Sequence, residues 1–162
     1  MYWILVIMAA IAAGLIALVV GGLVTPADYR VVRRIRLARG AHDVRALLAD
    51  LTAYEQWAPS PTTIERTAAT GVNAETDPDA IALRVTNDDT KAQLQWEWRV
   101  EPDAEDHTRS CSVTLTERGR VGNPVIRFFA ALRGHGGNAE RTLRALAEHF
   151  DEFGVAVERV VT

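Results

Sequence analysis

The sequence holds one cysteine, Cys111, among its 162 residues. A single thiol excludes an intramolecular disulfide framework and any metal site built on clustered cysteines. Strong charge of one sign is also missing: 18 Lys and Arg stand against 21 Asp and Glu, a formal net charge of −3. General nucleic-acid binders carry a strongly basic face, so no nucleic-acid partner is expected. Nucleophile elbow, phosphate loop and nucleotide fingerprint are all absent. The four histidines, His42, His107, His135 and His149, match no paired-histidine or zinc spacing. No metal and no cofactor are expected, and there is no internal repeat or low-complexity tract.

A further absence marks the N-terminus, where Tyr2–Val24 contains no charged side chain and twelve of its residues are Ile, Leu or Val. As a helix, 23 residues reach roughly 34 Å, against a hydrocarbon core of about 30 Å. Each of the twelve favours insertion by about 0.3–0.6 kcal/mol, so the segment reads as a transmembrane helix. A cleaved signal peptide needs a basic start, a shorter apolar stretch and a small-x-small exit. No Lys or Arg precedes this run, and Gly22-Leu23-Val24-Thr25-Pro26-Ala27 is a poor cleavage site. Tyr2 and Trp3 suit the interfacial aromatic belt. Arg30, Arg33, Arg34, Arg36 and Arg39 follow closely, which by the positive-inside rule places the remainder in the cytoplasm of a single-pass membrane protein. Ala13, Ala17 and Gly21 form a small-residue stripe, read here as the composition of the segment rather than a dimer seam.

Residues 1–27 are thus an anchor with its linker, and residues 28–162 are one soluble domain, long enough to bury a core unaided. Tyr29–Ala38 alternates as a strand, with Val31, Ile35 and Leu37 on one face. Residues 41–57 change to helical spacing through Val44, Leu47, Leu48, Leu51, Tyr54 and Trp57, and Ala58-Pro59-Ser60-Pro61 ends them. Strands are expected over Thr62–Thr70, Ala80–Thr86, Ala92–Val100 and Ser110–Arg118, with hairpin loops at 87–90 and 102–109. In the third of these Leu94, Trp96, Trp98 and Val100 share a face. In the fourth Cys111, Val113 and Leu115 do. Such alternation describes an antiparallel sheet with one covered face. Asn123-Pro124 starts a helix over Val125–Leu132. Gly134-His135-Gly136-Gly137 breaks it, and Asn138 is placed to cap a second helix striped by Leu143, Leu146, Ala147, Phe150 and Phe153.

Three segments carry a resemblance. Val32–Leu48 is a strand feeding directly into a first helix, Asp50–Pro59 runs from an aspartate to a tryptophan near a proline, and Gly122–Phe150 forms a closing helix region. In these, residues 29–155 resemble the START-like superfamily (SRPBCC, polyketide cyclase/dehydrase type), including forms with an N-terminal membrane helix. The chain departs from that pattern in having Gly40-Ala41 where a proline usually follows the first strand. It also has a short stretch before the strand pair, which points to a strand that is missing or reduced.

The resemblance implies an α+β helix-grip fold, a curved antiparallel sheet wrapped around a long C-terminal helix. It also implies a cavity between the two that holds a hydrophobic small molecule or lipid. Its lining candidates are Trp57, Trp96, Trp98, Phe128, Phe129, Phe150 and Phe153; the competing reading of these aromatics is plain core filling. Membrane lipid and an apolar ligand are the expected partners. The alternatives are an enzyme of the cyclase or hydratase kind, or an interaction module without a small-molecule site. The enzyme needs a polar group inside the cavity, and Glu97, Arg33 and His149 are its candidates.

Overall fold

The structure is a computed structural model that describes residues 2–59, 62–67, 80–87, 93–104, 109–134 and 136–160. They fall into two compact units, one of residues 1–29 and 120–135, the other of residues 30–119 and 136–162.

The first unit pairs two helices. Helix α1, Tyr2–Val24, carries no charge and is long and apolar enough to cross a membrane, a test that a signal sequence also passes. The second of the pair, α4, spans Pro124–Arg133. Asn123 caps it: its side-chain oxygen accepts from the amides of Val125 and Ile126, and Pro124 sits in the first turn, where no amide hydrogen is needed. The two helices meet where α1 has no side chains to keep them apart. Gly22 is the one buried residue of α1, and a Cβ there would overlap the Pro124 carbonyl. A Cβ on Gly21 would come within 2.9 Å of the Phe128 ring. Gly21 of the small-residue stripe is therefore occupied within the chain, while Ala13 and Ala17 are exposed.

The second unit is the α+β domain. Its strands are β1 (Asp28–Leu37, whose first residues belong to the other unit), β2 (Thr62–Arg66), β3 (Ile81–Asn87), β4 (Gln93–Pro102), β5 (Cys111–Arg120) and β6 (Glu158–Arg159). They form one curved antiparallel sheet in the order β2-β3-β4-β5-β1-β6. Of the two expectations after the first helices, a missing or a reduced strand, the structure has the second: β2 is five residues paired to β3 from Thr62↔Asn87 to Arg66↔Leu83. Residues 68–70 and 88–90, and with 105–108 the middle of the second expected hairpin loop, lie outside the described residues. Helix α2 (Ala41–Ala49) and the single turn α3 (Tyr54–Trp57) separate β1 from β2. Between them Asp50 turns the chain, its carboxylate accepting from the amide and hydroxyl of Thr52.

Alternation put the apolar faces where the structure has them. Leu83, Val85, Trp96, Trp98, Val100, Cys111, Val113 and Leu115 are buried in one core with Ile35 and Leu37 of β1. Helix α5 (Gly137–His149) supplies Ala139, Leu143, Leu146 and Ala147 to the same core, so the sheet grips this helix. The other face of the sheet is charged. Arg34 lies 3.9 Å from Glu101, Arg36 3.4 Å from Asp103, and Arg118 3.6 Å from Glu97, all partly exposed pairs of small individual value. The arginines after the anchor thus include two that serve the outer face of β1.

Two expectations about α5 are corrected. Asn138 does not cap it; Gly136 holds that position and the Asn138 side chain turns to the sheet instead. The helix also stops at His149, so its apolar stripe does not run on to Phe153, which is 75% exposed. Asp151 adopts a left-handed conformation (φ 61°), and the amides of Asp151 and Glu152 close back on the carbonyls of Glu148 and Ala147. That geometry satisfies the last helical carbonyls and turns the chain out of the helix. The segment beyond runs back along β1: Arg39 donates to the Phe150 carbonyl at 3.0 Å, Glu152 accepts from the Ala38 amide at 2.9 Å, and β6 pairs Arg159 with Arg33.

Candidate functional site

The inner face of the α+β unit has an aromatic end and a polar end. Tyr54 and Trp57 come from the single turn α3 and meet at 4.8 Å between ring centroids. Trp57 meets Trp98 edge-on at 6.2 Å, and Trp98 meets Trp96 edge-on at 6.1 Å, since residues two apart on β4 share a face. Such tilted contacts are each worth about 0.5–1.5 kcal/mol beyond the area they bury. The Tyr54 hydroxyl donates to the Leu48 carbonyl at 3.2 Å, and burial pushes its pKa well above the ordinary tyrosine value. Two of the indoles are less well served. The ring N–H groups of Trp57 and Trp98 are buried and have no hydrogen-bond partner among the described residues, an arrangement that costs about 1–3 kcal/mol apiece unless water or a ligand oxygen accepts from them.

At the other end stands Glu117, fully buried. The parity of Cys111, Val113 and Leu115 carries this carboxyl group inward from β5, in register with Trp96 of β4. The Trp96 indole N–H donates to one carboxyl oxygen at 3.1 Å, and the Asn138 amide donates to the same oxygen at 2.9 Å. Asn138 lies in the first turn of α5, where the helix end favours negative charge. Arg33 of β1 reaches the same turn, its guanidinium filling the space where a Cβ on Gly136 would stand. Gly136 is therefore glycine for room. Gly134 is glycine for conformation (φ 82°).

Of the three polar candidates for a cyclase-like site, Glu97 pairs with Arg118 on the outer face and His149 is exposed at the end of α5. Only Arg33 turns toward α5. Glu117, the buried carboxyl group, was not among them. Of the seven aromatic candidates, the fold brings Trp57, Trp96 and Trp98 together. Phe128 and Phe129 lie in the other compact unit, edge-on to each other at 5.8 Å. Phe150 is half-buried between His149 and the Arg39 guanidinium, and Phe153 faces outward. His42 is exposed, and His107 and His135 lie outside the described residues. Among the described residues no group of His, Cys, Asp and Glu is arranged to hold a metal ion.

A cleft of about 340 Å³ opens between β1, α5 and the segment after α5. Ile35, Leu143, Ala147, Val155 and Val157 give it apolar walls and Glu152 part of its polar rim. Its size falls at the lower end of the range of about 300–1,000 Å³ for small-molecule sites.

Cys111, fully buried on the inner face of β5, is not set up as a nucleophile. Burial first, and the charge of Glu152 second, push its thiol from 9.0 up to about 11, with Arg45 opposing. The unfolded chain therefore releases this proton first. The thiol's contribution to stability is complete below about pH 9 and falls as pH rises from there through about 11. Urea unfolding at a series of alkaline pH values should show that decline, and Cys111→Ala should flatten it. An identical slope in the variant would assign the decline elsewhere.

No protein-family model and no curated protein matches the sequence. Solved structures do match in shape. The ZhuI aromatase/cyclase from Streptomyces sp. R1128 superposes with a TM-score of 0.52 at 17% identity, over 76% of this chain and 94% of that one. The di-domain aromatase/cyclase BexL of the BE-7585A biosynthetic pathway gives 0.53 at 16%, over 76% of this chain and 46% of that one. Norcoclaurine synthase from Thalictrum flavum gives 0.50 at 11%, over 83% and 92%. At these identities the likeness is one of fold. The chain has the helix-grip fold that its sequence resemblance implied.

Proposed function

We propose that the chain is a membrane-anchored START-like domain that takes up a hydrophobic small molecule or lipid between its sheet and α5. The cleft between Ile35 of β1, Leu143 and Ala147 of α5 and the segment after α5 carries this reading, because it is a concavity at the lower end of ligand size with apolar walls and a charged rim of Arg144, Glu148 and Glu152. The indole N–H groups of Trp57 and Trp98, buried and without a partner among the described residues, lie outside the lining of this cleft, and a ligand that reached them would bear a hydrogen-bond acceptor. α1 is the membrane anchor in this reading, and the domain lies on the cytoplasmic side.

The test is mass spectrometry of the full chain reconstituted in nanodiscs of one synthetic lipid. A hydrophobic species other than that lipid should be retained at near-equal stoichiometry, and Val155→Trp, which fills the cleft from the C-terminal segment, should release it. Nothing retained by the wild type and no lipid held in its interior would refute the proposal.

A second reading, an enzyme of the cyclase or hydratase kind, is favoured by one observation. Glu117 is a carboxyl group inside the unit, held from one side by Trp96 and Asn138. Positioned carboxyl groups of this kind act in proton transfer when a substrate reaches them. Conversion of a retained ligand by the wild type but not by Glu117→Gln would establish it. An interaction module without a ligand differs from both, because its partner would stay bound to Val155→Trp.

A further inference from the structure

Helix α4 presents apolar residues both to α1 and away from it. Phe128 and the start of the helix at Pro124 lie against Gly21 and Gly22 of α1. Away from that contact, Ile126, Phe129 and Leu132 follow one another at three-residue spacing and are 58%, 44% and 69% exposed. Three large exposed apolar side chains on a ten-residue helix leave a patch that needs a cover. Acidic residues are absent from α4, and its central cation, Arg127, is turned back on the backbone. The Arg127 guanidinium donates to the carbonyls of Thr25 at 3.1 Å, Val121 at 3.1 Å and Gly122 at 3.2 Å. The amide and hydroxyl of Thr25 in turn donate to Gly21. The C-terminal end of α1 is thus closed by hydrogen bonds from within its own unit, as backbone polar groups near hydrocarbon require.

The level of this contact decides what the cover is. Gly21 and Gly22 stand two to three residues from the end of α1 at Val24, which is about 3–5 Å along a helix axis. A 23-residue apolar helix spans the hydrocarbon core with little to spare, so this point falls at the boundary between acyl chains and headgroups. We infer that α4 is an interfacial helix, docked on Gly21 and Gly22, whose Ile126, Phe129 and Leu132 dip into the bilayer that α1 crosses. The inference rests on the anchor reading of α1. Its occupant is lipid because the exposed residues of α1 nearest the contact, Val19, Val20, Leu23 and Val24, are apolar too. The apolar surface of one compact unit then continues from a spanning helix to a short helix at the same level.

The experiment uses the full chain in liposomes, in a Cys111→Ala background, with single cysteines introduced by Ile126→Cys, Phe129→Cys or Leu132→Cys. Leu15→Cys in α1 serves as the lipid control and Asp43→Cys on exposed α2 as the water control. Modification by a membrane-impermeant maleimide should be at least about tenfold slower at the three α4 positions than at Asp43→Cys. A fluorophore attached there should be quenched by phospholipids carrying a nitroxide near the headgroup. If the α4 positions react at the Asp43→Cys rate while Leu15→Cys stays protected, the inference fails and the anchor stands. If Leu15→Cys also reacts at that rate, the anchor reading falls and this inference with it. Protection without quenching means that a second copy or another protein covers the patch, and lipid is then excluded.

Discussion

Trp98→Ala is expected to destabilise the α+β unit by about 3–5 kcal/mol, the cost of truncating a fully buried aromatic side chain. Trp98 has no exposed surface, makes edge contacts with both Trp57 and Trp96, and lies in register with Ile81 on β3 and Leu115 on β5. Removing it opens a void in the middle strand pair and takes away two ring contacts together. Domains are stable by only about 5–15 kcal/mol, so the variant should lose roughly 10 °C or more in Tm when the full chain is followed by near-ultraviolet circular dichroism in detergent. A loss below about 1 kcal/mol would show that Trp98 is not part of a packed core. Trp98→Phe separates packing from binding. It keeps most of the apolar volume and removes an N–H that has no partner, so the two effects offset and the cost should stay near 1 kcal/mol. If that N–H holds a ligand oxygen, the same variant loses the ligand while remaining folded.

The strands were legible because period-2 alternation is strong when one face is buried. Leu94, Trp96, Trp98 and Val100 on β4 repeat it four times without interruption, and the helix-grip order followed from strand, helices, strands and helix in sequence. Glu117 was hidden by the same rule. Its parity with Cys111, Val113 and Leu115 places it inward, but alternation is recognised from apolar residues, and a carboxyl group at the end of such a run reads as the strand's wet margin. The signal lay in position rather than in residue type. Its donors were equally obscure: Asn138 has the chemistry of a helix cap, and only the break at Gly134–Gly137 moves it into the first turn, where it faces β5.

The packing of α4 on α1 left no mark in the sequence of a different kind. A contact built on Gly21 and Gly22 is made by side chains that are missing, so it has neither period nor polarity. Phe128 was read as a cavity aromatic for the same reason: its neighbour is Gly21, about a hundred residues earlier, while Phe129 beside it is exposed. The end of α5 was misplaced because Phe153 continues the helical spacing past Phe150, while the left-handed turn at Asp151 depends on a residue type that tolerates it without requiring it.

Glu117→Ala should cost about 2–4 kcal/mol, because it strands buried donors as well as emptying a buried position. The Trp96 indole N–H and the Asn138 amide share one acceptor oxygen, so a single truncation removes the partner of both. Trp96 is almost fully buried and cannot turn to water, whereas Asn138 is half-exposed and recovers part of its loss. Glu117→Gln keeps an acceptor oxygen of the same reach and should cost less than half as much. The pair of variants is read by urea unfolding of the full chain at pH 7, with ligand retention measured beside it. A carboxyl group that serves only to anchor Trp96 and Asn138 predicts that Glu117→Gln retains ligand and stability together. One that meets the bound molecule predicts that Glu117→Gln stays folded yet alters what is retained. If Glu117→Ala proves as stable as the wild type, the buried hydrogen bonds from Trp96 and Asn138 do not hold this end of the interior.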